Sequence, residues 1–305
     1  MPDPNITRLE AELYRLTGLH LAGEANEPPE ETARKLQTVL DTFREKNSRR
    51  EFFRKLLSGQ MAGELSSEAA RLRLPENVPW CVFAVETEDT ATATASDILR
   101  QMFATGGSDC AVVTDARSIA LLRPVKGREK REDFEELAHT VVDMLNTEGM
   151  LRARVAFGPP AEGLAALPGI YREQLTALAI CRIFYSHTNV VGSDRLGLGR
   201  LLYGLPADIC QKFLNEVTGG RDFHAVDAET QLAVDTFFEN NLNISETARQ
   251  LFIHRNTLVY RLEKHRQATG LDIRVFEDAM TYRIASLVAG YLLETRKGGL
   301  HNETT

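Results

Sequence analysis

Several absences narrow the field first. The 305-residue chain holds one tryptophan and four cysteines, and it has no uninterrupted apolar run of membrane length. The longest nearly apolar stretch, Ile284 to Leu293, is half of what a bilayer crossing requires. The N-terminus, MPDPNITRLE, lacks the basic start and apolar block of an export signal, so a cytoplasmic protein without a membrane partner is expected. Cys81, Cys110, Cys181 and Cys210 are scattered and form no C-x-x-C pair. Three of them sit in apolar runs, where cysteine serves as a small buried hydrophobe. No two of the seven histidines form an H-x-x-x-H pair, and none clusters with the cysteines, so neither a metal site nor a cofactor is expected. No Walker loop, serine-nucleophile elbow or G-x-G-x-x-G after a strand occurs.

The composition is otherwise that of a globular chain of about two domains, with 43% hydrophobic and 26% charged residues. Acidic residues outnumber basic ones 43 to 36, a net charge of -7, so any contact with a polyanion has to be local.

Breaks in the pattern suggest three segments, residues 1–60, 76–195 and 197–297. In the first, residues 1–26 predict a short helix, and Glu27-Pro28-Pro29-Glu30 a kink. Ala33, Leu36, Leu40 and Phe43 then recur at helical spacing on a helix running to about Ser58. The pattern slips at Asn47 and Arg50. Two clean heptads leave two readings open, a dimerising helix or one docked on the protein's own core.

The second segment alternates strand and helix. Strands are predicted at Trp80–Val85, Cys110–Val113, Ser118–Pro124 and Arg152–Phe157, and helices at Asp97–Phe103 and Asp133–Leu145. That order implies an α/β sheet domain with helices packed against it. From Gly197 onward strand signals vanish, and helices are predicted at 201–203, 207–217, 228–241, 244–251, 255–269 and 276–295. The fold class expected is therefore α+β and multidomain: an N-terminal helical segment, an α/β sheet domain and an all-α C-terminal domain.

The last domain contains the informative stretch. Asn243, with Glu246 three residues on, predicts a capped helix of about two turns with a capping-box partner. Phe252-Ile253-His254 connects it to a second helix starting near Arg255, the layout of a helix-turn-helix. Ala248 is small enough for close crossing, while Leu251, Ile253, Leu258 and Leu262 can close a core. On a helical wheel Asn256, Thr257, Tyr260 and Lys264 then point outward together. Asn can bond adenine bidentately, and Thr and Tyr carry hydroxyls suited to base edges in a major groove. Arg255 at the helix start and Arg261 on its flank suit phosphates. With His254, these seven residues, His254, Arg255, Asn256, Thr257, Tyr260, Arg261 and Lys264, are the candidate contacts to double-stranded DNA. From Ser245 to Gly270 five basic residues face two acidic ones, a local +3, whereas Arg221 to Ile244 carries a local -4. The positive charge sits on the proposed reading element.

NISETARQLFIHRNTLVYRLEKHRQATGLDI resembles the C-terminal helix-turn-helix of bacterial regulators of the PucR/CdaR family. Upstream, Arg154 to Gly158 and the stretch from Gly163 through Ile170-Tyr171-Arg172-Glu173 are similar to a strand and helix of that family's GGDEF-like middle domain. Leu196 to Leu202 is similar to the linker that follows. The resemblance covers residues 75 to 297. It implies a DNA-binding transcription regulator, a homodimer on operator DNA, with a small-molecule effector. There are departures: Val259 stands at a position often basic, Ile170 where serine is common, and Gln174 where alanine is common. Phe252 replaces the glycine that many helix-turn-helix turns carry, which implies either mild strain or a less left-handed turn.

Two other readings stay open. In one, the helix-turn-helix is vestigial and the protein is an interaction scaffold. In the other, Gly106-Gly107-Ser108-Asp109-Cys110 is the metal-holding hairpin of a nucleotide cyclase, but its third position is serine and Val85-Glu86-Thr87 lacks the expected aspartate pair. No enzyme is expected. Tyr171, Arg172, the Gly158-Pro159-Pro160 loop and the N-terminal helix are the places where an effector would be sought, although packing alone accounts for each of them.

Overall fold

The computed structural model describes residues 4–17, 28–61, 63–88, 91–103, 109–125, 127–185, 187–219 and 226–298. The chain divides into two compact units, Met1–Leu178 with Thr188–Arg195, and Ala179–His187 with Leu196–Thr305. The architecture is α+β, with one five-stranded sheet and a helical C-terminal region.

In the first unit, α1 (Pro4–Thr17) and α2 (Pro29–Leu57) pack together. Leu36 and Leu40 of α2 close a cluster with Leu9 and Leu13 of α1. The seam left open by the sequence is thus occupied by the chain's own first helix. The periodicity slips at Asn47 and Arg50 because the helix changes what it packs against. Its last turns bury Phe52, Phe53 and Leu56, and the Phe53 ring meets Trp80 edge-on at 5.4 Å. Pro29 begins the helix, where its missing N–H costs nothing. A seven-residue helix, α3 (Leu65–Arg71), had no counterpart in the sequence reading.

The sheet follows: β1 (Trp80–Thr87), α4 (Thr92–Met102), β2 (Cys110–Val113), β3 (Ser118–Pro124), α5 (Arg131–Gly149), β4 (Ala153–Phe157), α6 (Leu167–Phe184) and β5 (Val190–Gly192). The strand order is β2-β3-β1-β4-β5, antiparallel except for the β4–β5 pair. Cys81, Phe83 and Val85 share a core with Leu99 of α4 and Phe134, Val141 and Leu145 of α5. The alternate residues Trp80, Val82 and Ala84 are buried as well, so β1 is covered on both faces. That explains its reading as a continuous apolar run rather than an alternating one. Helix α4 starts five residues before the predicted Asp97, because Thr92, Ala95 and Ser96 are small but buried.

The β2–β3 hairpin turns at Thr114–Arg117, and Asp109 precedes β2. Of the Gly106–Cys110 stretch that the less favoured cyclase alternative rests on, Gly106, Gly107 and Ser108 lie outside the described residues. The Tyr171 ring is buried and its hydroxyl lies 2.6 Å from the Thr114 hydroxyl, with burial pushing its pKa up to about 12. Gly158 abuts Ser193 Oγ and the Gln174 amide so closely that a Cβ there would collide with both. All four cysteines are reduced and buried, and burial raises the thiol pKa of Cys81 to about 12 and of Cys110 to about 11. No described helix is long and apolar enough to cross a membrane.

The second unit is helical: α7 (Gly197–Tyr203), α8 (Ala207–Thr218), α9 (Ala228–Glu239), α10 (Ile244–Gln250), α11 (Arg255–Thr269) and α12 (Phe276–Gly298). The acidic residue Asp222 and its neighbour Arg221 lie outside the described residues. One core joins Val234 and Phe237 of α9, Ala248 of α10, Leu258 and Leu262 of α11, and Ala279, Tyr282 and Ala285 of α12.

Candidate nucleic-acid interface

Helices α10 and α11 are joined by the four residues Leu251–His254. Asn243 caps α10, its side-chain oxygen accepting from the backbone N–H groups of Ser245 and Glu246 at 3.0 and 3.1 Å. The expected reciprocal arm of a capping box is missing. The Glu246 carboxylate turns forward to Arg249, which holds its pKa below the usual carboxylate range, and the Asn243 N–H donates to the Asn240 carbonyl at 3.1 Å. Arg249, three residues along the same helix, simply wins the carboxylate. Ala248 is buried at the crossing, as its size requires.

Between the helices, Phe252 has φ of +54°, the left-handed region, so the less left-handed alternative is excluded. Its side chain is 96% exposed. A non-glycine residue there is strained, and nothing in the domain packs against its ring to offset the cost. The turn is held by Ile253 N–H donating to the Ala248 carbonyl at 3.0 Å, which seats Ile253 against the core.

His254 has a structural part that the sequence did not reveal. It is the N-cap of α11, and its Nδ1 accepts from the Asn256 N–H at 3.3 Å. Histidine is outside the usual Ser, Thr, Asp and Asn capping set, so composition gave no cue.

Along α11, Leu258 and Leu262 are buried, which turns the opposite side outward. Arg255, Asn256, Thr257 and Lys264 are exposed, as is His254, and Tyr260 is 69% exposed. Asn256, Thr257, Tyr260 and Lys264 thus share the open face that the wheel predicted. Arg261 and Lys264 differ from the rest, because carboxylates from the start of α9 engage both. Arg261 Nη2 donates to Glu229 Oε2 at 2.6 Å, and its side chain is only 19% exposed. Lys264 Nζ lies 2.7 Å from Asp227 Oδ2. Asp227 also caps α9, accepting from the Thr230 N–H at 3.0 Å, and Lys264 followed by that cap holds its pKa far below the ordinary carboxylate value. Asp227 with Thr230 three residues on is legible as a cap. That it also clamps Lys264, 37 positions later, could not be read from local pattern.

Behind the face, His265 is fully buried with its ring edge-on to Tyr282 at 4.4 Å, and neither ring nitrogen has a well-formed hydrogen bond. Desolvation lowers its pKa to about 4. The imidazole is therefore neutral near pH 7 and serves as packing. Among the described residues no group of three or more His, Cys, Asp or Glu side chains is placed to hold a metal ion.

Comparison with known proteins agrees with this geometry. Residues 232–288 match the PucR C-terminal helix-turn-helix domain, and residues 58–180 match the GGDEF-like domain. The carbohydrate diacid regulator of Escherichia coli is 24% identical over 230 residues, 72% of this chain and 60% of that protein. The purine catabolism regulatory protein of Bacillus subtilis is 26% identical over 165 residues, 52% of this chain and 31% of that protein. The chain thus spans less than two thirds of either relative's length. The crystal structure of a regulator of polyketide synthase expression from Bifidobacterium adolescentis is 20% identical, covering 83% of this chain and 94% of that one. The TM-score between the two is 0.38. The chain thus carries a GGDEF-like domain ahead of a PucR-type helix-turn-helix whose leucines are buried and whose polar face is open, and it is similar to two regulators, of carbohydrate diacid use and of purine catabolism.

Proposed function

We propose that the protein is a sequence-specific DNA-binding transcription regulator that acts as a homodimer in the cytoplasm and responds to a small-molecule metabolite. In this reading residues 1–60, 76–195 and 197–297 are its N-terminal, GGDEF-like and DNA-binding parts. One observation carries it: α11 anchors itself by Leu258 and Leu262 and presents Asn256, Thr257 and Tyr260 unhindered on the other side. These three are the base-reading groups, through Asn to adenine and hydroxyls to neighbouring edges. His254 and Arg255, at the helix start, position the protein on phosphates. Arg261 and Lys264 reach phosphates on exchanging their carboxylate partners. One such module buries only about 600 to 1,000 Å² of protein surface, so two copies about 34 Å apart are needed for useful specificity. No catalytic role is assigned to the GGDEF-like part.

The test is selection of genomic fragments by the purified protein, followed by titration of the recovered duplexes. Asn256→Ala is expected to lose about 1 to 3 kcal/mol on the selected site and to relax base preference there. Arg255→Ala is expected to weaken all duplexes alike. Equal binding by wild type and Asn256→Ala on every duplex would remove the base-reading role.

A further inference from the structure

The C-terminal unit holds a second feature that DNA reading does not use. A cleft of about 410 Å³ opens beside the α9–α10 connection, floored by Phe238, Leu242 and Ala279 and walled by Leu198, Phe276 and Met280. Its wall residues are large apolar side chains left in the open: Phe276 is 71% exposed, Met280 49% and Leu198 46%. Its size is that of a small-molecule site, and its lining is apolar with few polar groups, the usual composition of such sites. Only two polar side chains stand at its edge, Asn241 and Arg283.

Those two decide the chemistry. Arg283 is exposed, its guanidinium carbon 5.8 Å from the Phe238 ring centroid, and among the described residues no carboxylate pairs with it. Several arginines of the same unit behave differently: Arg249, Arg261, Arg266 and Arg274 each hold an acidic partner. A stacked guanidinium keeps its outer N–H groups in a fixed plane, suited to two parallel hydrogen bonds with a carboxylate. The Asn241 amide, exposed and also without a partner among the described residues, adds a donor and an acceptor. The rim itself is unusual backbone. Asn241 and Leu242 have φ of +52° and +62°, consecutive left-handed residues of which neither is glycine. That conformation turns Leu242 into the cleft floor just ahead of the α10 cap, Asn243.

We propose that this cleft binds a small organic monocarboxylate with an aryl or alkyl body, the body between Phe276, Met280 and Leu242 and the carboxylate on Arg283 and Asn241. Such a ligand grips the turn that leads into the helix-turn-helix. It therefore deepens the metabolite response proposed above and rests on that reading for its regulatory meaning, but not for binding itself.

The experiment is calorimetric titration of the full chain, without DNA, with 4-phenylbutyrate, with the uncharged 4-phenylbutyramide, and with a series of straight-chain carboxylates. Wild type is expected to bind carboxylates one to one and to prefer the acid over the amide by roughly tenfold, the value of a charge-assisted hydrogen bond. Arg283→Met should abolish that preference while leaving amide binding in place. Met280→Trp, on an exposed side chain, should fill the cleft and block both, with thermal unfolding verifying that each variant is folded. Binding of none of the carboxylates at millimolar concentration, equal affinity for acid and amide, or undiminished binding by Met280→Trp would overturn the site. So would a Met280→Trp chain that bound no ligand and also sedimented at lower mass than wild type, since the cleft would then be a seat for a second copy. DNA selection fails or succeeds separately from all of these.

Discussion

Phe252 and His265 show how single residues set the stability of the helix-turn-helix. Phe252 occupies a left-handed position with its ring in solvent, so Phe252→Gly relieves steric strain and forfeits no packing. After the extra unfolded-state entropy of glycine, a net gain of about 0.5 to 1 kcal/mol is expected in urea unfolding. A loss of stability would mean that the ring has a partner. His265 gives the opposite kind of dependence. Its pKa falls from 6.5 to about 4 on folding, so between these values the unfolded chain binds the extra proton. Stability is therefore complete above pH 6.5 and declines as the pH drops toward 4, by on the order of 2 kcal/mol from this group. His265→Leu should flatten that part of the pH–stability curve, read by denaturant midpoints from pH 7 to 4.5. An unchanged slope would assign the acid sensitivity to other groups.

At the scale of elements, legibility followed the length and chemical contrast of each segment. β2 and β3 were readable to the residue because their apolar runs flank a polar turn at Asp115 and Arg117. Helix α3 and strand β5, of seven and three residues, were not read, since neither spans enough sequence to show a period. For the site, Asn243 and the outward face of α11 followed from local pattern. The His254 cap, the α9 carboxylates on Arg261 and Lys264, and the α9–α10 cleft arise from contacts distant in sequence or from a residue type outside the capping set. The α1–α2 pair yields its own prediction. Leu13 is fully buried between Leu36 and Leu40, so Leu13→Ala should cost about 2 to 4 kcal/mol of that pair's stability. Hydrogen exchange of α1 and the first half of α2 would report it, and unaltered protection there would mean that the two helices are held by something else.

For the whole molecule, charge is the governing quantity. A net -7 repels a polyanion at long range, while the +3 of Ser245–Gly270 attracts it at contact. Binding to DNA should therefore weaken steeply with added salt, because each phosphate contact releases counterions. Arg255→Ala should lower the slope of log K against log salt by about 1 for each bound copy. Affinity indifferent to salt would instead favour a scaffold joined through apolar helix faces.

The paired carboxylates at the head of α9 bear on non-specific adhesion. Asp227 and Glu229 already occupy two of the cations that a phosphate backbone would seek, so a random duplex has to evict them with no base contact in return. A matched site meets the same toll and recovers it through Asn256 and its neighbours. In the proposed reading the acidic pair is a built-in competitor: it lowers both affinities alike and leaves their ratio to the base contacts, but it thins out adhesion to the bulk of a genome and so frees more of the protein to search.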